Sequence, residues 1–372
     1  MNQDEPVYFS GTIPNESGTP RNEVGGLALF NGVLMRSRTG FAIALRLANG
    51  AVQVRQIPFA SLRGSKAWRL PLLRGAASLA EMTKVGTQAL GYSAAIADGR
   101  AEQPQSPAAM KWMLTASAAA MIAMLVLAPD ILAVALLAIA RTASPGSVLN
   151  ETDEPLLFNL LAGAFRLALL GGYVGVLTMQ SEIRTVFEYH GAEHQAALAL
   201  EDGRDVTVAR ARSHGTLHPR CGTTFLALVA MLCIFAFALC DYGLTLYLSG
   251  YPSWSGMMRR AIRFASHVIL LPVVVGLAFE LIKIACAHRG AIWARVMLWP
   301  GMALQRFTTR TPSDQQREVA IIALLGALAI SPSQQEIRTY NVRGLENDDS
   351  APGYVATSPA RPAPPINSEP VS

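Results

Sequence analysis

Four long apolar runs, at residues 112–140, 156–179, 223–248 and 264–285, constrain this chain more than anything else in it. A helix needs about 20 predominantly apolar residues to cross the hydrocarbon core of a bilayer. In lipid, only helices and closed barrels satisfy every backbone polar group. The runs therefore predict a mainly α, polytopic membrane protein with about four transmembrane helices. Composition agrees, because 51% hydrophobic residues, 15% charged residues and a mean hydropathy of +0.30 over 372 residues lie outside the range of an ordinary soluble domain. The 31 Lys+Arg against 26 Asp+Glu are read as loop charges under the positive-inside rule. No aromatic-rich basic strip points to nucleic acid, so the lipid bilayer is the expected partner.

The first run carries one charge, Asp130, directly after Pro129. Residues 112–128 can nearly cross, so Pro129-Asp130 is expected to mark the far interface, with 131–140 as an interfacial or re-entrant piece. Residues 141–155 hold Glu151, Asp153 and Glu154 against Arg141, which suits the outside. The loop at 180–222 holds Arg184, Arg204, Arg210, Arg212 and Arg220 and belongs inside by the same rule, as does the C-terminal segment with Arg289, Arg295, Arg306 and Arg310. Arg259, Arg260 and Arg263, between the third and fourth runs, oppose this orientation. The start Asn2-Gln3-Asp4-Glu5 does not resemble a cleavable signal, so the first span is expected to act as the anchor.

Outside the runs, residues 1–23 and 331–372 are polar and rich in Pro, Gly or Ser, and are expected to be disordered. Residues 24–110 predict a small cytoplasmic β element and an amphipathic helix. The stretches 27–35, 41–47 and 52–57 are β-compatible, and Asn49-Gly50 is a hairpin turn because both residues tolerate positive φ. Leu72, Leu73, Ala76, Leu79, Val85 and Leu90 recur at helical spacing, facing either a membrane surface or that β element. Residues 111–330 then form the membrane domain, interrupted by the histidine-rich loop at 180–222. Within the spans, Arg166, Asp241 and Glu280 are expensive to bury. They predict either a pairing that fixes helix register or a polar cavity.

Four of the six histidines lie in the polar stretch 187–221. On a helix over 186–199, His190 and His194 share one face, about 40° apart, and Glu193 flanks them. Two imidazoles so placed can hold one metal ion, and the string His190-Gly191-Ala192-Glu193-His194 matches the inverted zincin pattern with Glu193 as general base. His218 and Cys221 supply two further candidate ligands just before a span. The competing reading is of surface or capping histidines. Cys221 is also a candidate nucleophile, since a helix N-terminus and the neighbouring Arg220 both favour negative charge on sulfur. Cys233, Cys240 and Cys286 lie in apolar runs and read as small core side chains.

Two motifs, Glu188-Tyr189-His190-Gly191-Ala192-Glu193-His194 and Thr216-Leu217-His218-Pro219-Arg220-Cys221-Gly222-Thr223, resemble the signature of the YqhQ-like family of bacterial inner-membrane proteins. The similarity extends over roughly residues 24 to 328. It includes Gly25-Gly26, Gly32-Val33, Met35-Arg36, Arg74-Gly75, Asn159, Gly163, Arg166, Leu271-Pro272-Val273-Val274, Gly276, Glu280, Pro300-Gly301, Leu304-Gln305 and Thr308-Thr309-Arg310. The resemblance implies a domain of unknown function labelled a predicted metal-dependent enzyme, in the bacterial plasma membrane. The chain departs from the family pattern at Asn31 and Ala162, where glutamates are usual, and at Thr311 and Gln315.

Two function classes follow. One is a metal-dependent hydrolase at the cytoplasmic membrane face, with zinc on His190, His194 and either His218 or Cys221, Glu193 as base and Arg220 as charge stabiliser. The other is a non-catalytic scaffold or assembly factor in which a metal or polar network ties the loop to the bundle. Three ligands would favour catalysis, and four a structural site.

Overall fold

The computed structural model describes residues 24–58, 68, 70–97, 107–143, 155–203 and 205–330, together with short strands at 336–341, 355–356 and 361–362. The expected disorder of residues 1–23 lies outside these. The chain builds a lobe of sheet and helices on one end of a bundle of apolar helices.

In the lobe, β1 (Gly25–Leu29), β2 (Gly32–Arg36), β3 (Gly40–Arg46) and β4 (Val52–Pro58) form an antiparallel meander. The stretch read as one β run, 27–35, is itself a hairpin. It turns at Asn31, whose φ of 55° is the left-handed conformation that asparagine tolerates and glutamate disfavours. The second turn is the expected one: Gly50 has φ 84° and Asn49 Oδ1 accepts from the Ala51 N–H at 3.1 Å. From the tail expected to be disordered, β5 (Glu336–Asn341) pairs with β4, and β6 (Val355–Ala356) and β7 (Arg361–Pro362) pair with β5.

Both faces of the sheet are covered, which is why the central strands β2 and β3 are apolar at nearly every position. Val33, Met35, Ala42, Ala44, Val52 and Val54 face one core, and Leu34, Phe41, Ile43, Leu45 and Ile57 the other. On the second face lies α1 (Leu73–Ala97), the predicted amphipathic helix, through Val85 and Ala89. It also reaches the bundle, with Arg74 paired to Glu280 and Gly75 set tightly against Phe279 and Gly276. Leu73, Leu79 and Leu90 remain exposed.

On the first face lies α10 (Asp314–Leu328), opened by a Ser313–Gln316 capping box and buried from Arg317 to Leu328. At 15 residues it is too short to span, and Gly326 lets it sit on Ala42 and Val54. The segment assigned by sequence to the membrane domain up to residue 330 thus ends inside the lobe.

Four helices are long and apolar enough to cross a membrane: 115–143, 156–178, 222–247 and 256–287. They correspond to α2 (Pro107–Ile122) continued into α3 (Ala128–Ala143), then α4 (Pro155–Thr178), α7 (Gly222–Tyr247) and α8 (Gly256–Ala287). Pro129-Asp130, expected to mark the far interface, lies instead near the middle of the first span, and the helix runs on past it. The chain widens into a π-turn over Ala123–Leu127, with the Ala128 N–H donating to the Ala123 carbonyl. Proline 129 offers no N–H to Leu125 one turn back, and Arg166 Nε donates to that carbonyl at 2.5 Å instead. Arg263, counted as a loop charge, lies buried within α8. Beyond α8, α9 (Ile292–Thr308) exposes Ile292, Val296, Trp299 and Phe307 along one side.

Candidate metal centre

The lobe meets the bundle at α5 (Ser181–Glu201), which follows α4 after a tight turn and is the helix expected over 186–199. Glu188 falls on its far face and pairs with Arg184 at 3.7 Å. His190 and His194 face the loop that links α6 (Val208–Arg212) to α7. Three local features bring the loop and the end of α9 against them. Gly191 has no side chain, and a Cβ there would overlap the Arg310 carbonyl; the Arg310 N–H instead donates to Phe187 O at 2.9 Å across α5. Gln305 clamps His218 at both backbone groups, accepting from its N–H and donating to its carbonyl, each at 2.8 Å. Cys221 caps the start of α7, its sulfur 3.5 Å from the Thr223 N–H and 3.2 Å from Thr223 Oγ1.

The hydrogen bonds set both histidine tautomers. His190 Nδ1 lies 2.8 Å from the Thr308 carbonyl, and His194 Nδ1 lies 2.6 Å from the Thr216 carbonyl. A carbonyl only accepts, so each Nδ1 carries the proton and each Nε2 presents a lone pair. The lone pair of His190 faces Cys221 Sγ at 3.2 Å. That of His194 is buried without a hydrogen-bond partner among the described residues. Leaving such an atom unsatisfied costs about 1–3 kcal/mol. The donor atoms of His190, His194 and Cys221 all lie within 4.8 Å of one another. Imidazoles held at one nitrogen by an acceptor and open at the other are arranged as metal ligands are. Two nitrogens and one sulfur suit zinc or another borderline divalent ion, so the residues present fit such an ion.

The other two candidates are engaged elsewhere. His218 lies close, its ring centroid 5.5 Å from that of His194, but both its nitrogens are used. Its Nδ1 accepts from the Arg220 N–H at 3.3 Å, which leaves Nε2 to donate to Glu201 Oε1 at 2.9 Å. Arg220, expected to stabilise charge at the site, is paired with the same Glu201, as is Arg289 at 3.2 Å. Burial alone would raise the Glu201 pKa, but the His218 hydrogen bond and the charges of His218, Arg220 and Arg289 hold it below the ordinary carboxylate value. Burial likewise lowers the His218 pKa against the opposing bond to Glu201, in keeping with a neutral ring.

Glu193 is buried and turned toward β1, where the Gly26 N–H bonds its carboxyl. Burial pushes its pKa up to about 7, against the lowering influence of His190 and of that hydrogen bond. Several residues that shape the site carried no signal of their own. Thr216 and Thr308 act through backbone carbonyls, which any residue type supplies, and Glu201 stands two turns beyond the His190–His194 motif. Gln305 and Thr308 stood out only within the family resemblance.

The sequence profile of a family described as "Protein of unknown function (DUF1385)" matches residues 70–330. A curated relative, "Uncharacterized protein YqhQ" of Bacillus subtilis (strain 168), is 27% identical over 322 residues, covering 84% of this chain and 95% of the relative. Neither description states an activity, and the label of metal-dependent enzyme finds no support in them. No solved structure matches the chain. The four apolar helices and the whole His190–His194–Cys221 cluster fall within the matched region, and this chain belongs to the DUF1385 family.

Proposed function

We propose that the protein is a membrane-embedded, metal-dependent hydrolase whose site lies where the lobe meets the bundle. His190, His194 and Cys221 hold the ion, and Glu193 acts as base. The observation that carries this reading is the buried, unpartnered Nε2 of His194, which converges with His190 Nε2 and Cys221 Sγ on one small space. Three protein ligands leave a coordination position open, as in catalytic rather than structural zinc sites. A divalent ion bound there would supply Lewis acidity toward a carbonyl or phosphoryl group. The chain's own residues fix the ligand tautomers, through Thr308 and Thr216, and brace the loop, through the Glu201 cluster and Gln305.

Elemental analysis of the full-length protein in detergent, after removal of loosely held ions, tests this reading. Stoichiometric zinc or another borderline ion is expected, with complete loss in the His190→Ala, His194→Ala double variant. Undiminished metal in that variant sinks the proposal.

A structural role for the ion is the second reading. It is favoured by the origin of the ligands, two from a lobe helix and one from the cap of a membrane helix, so that an ion would clip lobe to bundle.

We place the lobe in the cytoplasm, because Arg184, Arg220, Arg289, Arg295 and Arg306 cluster at the lobe end of the spans. Membrane-impermeant labelling of single cysteines in the Cys221-containing background should modify position 250 from outside whole cells and leave position 203 untouched. The reverse pattern overturns this orientation.

A further inference from the structure

The bundle encloses a second polar cluster, at the end away from the lobe. Because α4 and α8 meet the lobe at their C-terminal ends and α7 at its N-terminal end, Asn159, Asp241 and Arg263 all lie within about two turns of the far end. Arg166 and His267 lie about a turn deeper, and Asp130 sits near the middle of the first span. Asn159 Nδ2 donates to Asp241 Oδ2 at 2.7 Å, and His267 Nε2 lies 2.8 Å from Asp241 Oδ1. Phe237 stacks on the His267 ring at 4.0 Å and holds it in place. Toward the lobe end, the bundle core is apolar, with Leu228, Val229 and Leu298 buried in it.

The geometry around Asp130 is unusual for a packed ion cluster. Arg166, Arg263 and His267 approach its carboxylate at 3.8, 3.6 and 3.8 Å, all too long for hydrogen bonds. Asp130 Oδ1, both terminal nitrogens of Arg166 and His267 Nδ1 have no hydrogen-bond partner among the described residues, although Arg166 and His267 are completely buried. Charged groups at membrane depth do not stay unsatisfied. Polar contacts at this spacing are those that a bridging water fills.

We propose that this ladder is a hydrated proton-binding site in the far half of the bundle, where His267 relays a proton between Asp241 and Asp130. A proton reaching Asp241 from the far face passes to His267 Nε2: the O–H bond breaks and an N–H bond forms. The imidazole releases its Nδ1 proton through one water to Asp130 and is left in the other tautomer, so charge and atoms balance without a redox partner. The charged and titratable groups facing the relay are Asp130 from α3, Arg166 from α4, Cys233 and Asp241 from α7, and Arg263 from α8. Phe237, stacked on the ring, opposes its turning over, and the apolar core toward the lobe offers no onward polar group. The site therefore loads and unloads from the far face and is not a channel.

Infrared difference spectroscopy of the full-length protein in lipid vesicles, recorded after a drop in pH, tests this. A protonated-carboxyl band should appear and shift in D2O. It should lose at least half its amplitude in Asp130→Asn. His267→Gln preserves a hydrogen bond to Asp241 but cannot relay, and should slow the appearance of the Asp130 component at least tenfold. A band insensitive to both Asp130→Asn and Asp241→Asn, in variants of unchanged circular dichroism, overturns the proposal and leaves the cluster as an ion network that sets helix packing.

Discussion

Glu193→Gln is expected to keep its metal and lose about 10²- to 10⁴-fold in rate if the centre is hydrolytic. Glutamine preserves the shape of the side chain and still accepts from the Gly26 N–H, so the fold around β1 has no reason to change. What it removes is the ability to take a proton. A structural ion would be indifferent to the exchange, since Glu193 is not one of the residues whose donor atoms converge. The first readout is complementation of a deletion strain, with protein level and metal content measured for each variant. If Glu193→Gln complements fully while the His190→Ala, His194→Ala variant fails, the ion is structural and the hydrolase reading falls. If both fail and Glu193→Gln retains its metal, the base assignment stands.

Arg166→Ala is expected to destabilise the bundle by about 3–5 kcal/mol, the usual consequence of removing one member of a buried charge pair. Arg166 is fully buried, faces Asp130, lies over the Phe237 ring and supplies the donor that Pro129 denies to the Leu125 carbonyl. Alanine would leave that carbonyl without its donor and remove one of the three cationic or titratable groups that face Asp130. Unfolding by increasing SDS in mixed micelles, followed by circular dichroism, should show a clearly earlier transition. Combining Arg166→Ala with Asp130→Asn should recover part of the loss, because the second change removes the carboxylate that Arg166 faced. An Arg166→Ala protein as resistant as wild type would mean that the guanidinium is not integral to the packing of α3 on α4.

The four apolar helices, the Asn49-Gly50 turn and the shared face of His190 and His194 were legible in the residues alone. Each rests on a local rule: length against bilayer thickness, tolerance of positive φ, and the helical repeat. Residues that act across the fold were not legible in this way. Whether His218 or Cys221 joined the histidines depended on Glu201 and the Arg220 backbone, which occupy both nitrogens of His218 and leave the sulfur of Cys221 facing His190. Spacing along the chain treats the two as equals.

Pro129-Asp130 read as an interface because a proline beside a lone charge is a local signal, whereas the group that meets both inside the span, Arg166, comes from another helix. Residues 314–328 read as part of a membrane domain because apolarity on every side means burial in either solvent, and only the sheet beneath showed which. Length and apolarity along the chain pick out the segments able to leave water, and residue chemistry picks out those able to bind an ion. Tertiary structure alone decided which of them meet, because hydrogen bonds from distant carbonyls and carboxylates assign each lone pair, and those partners have no fixed place in the sequence.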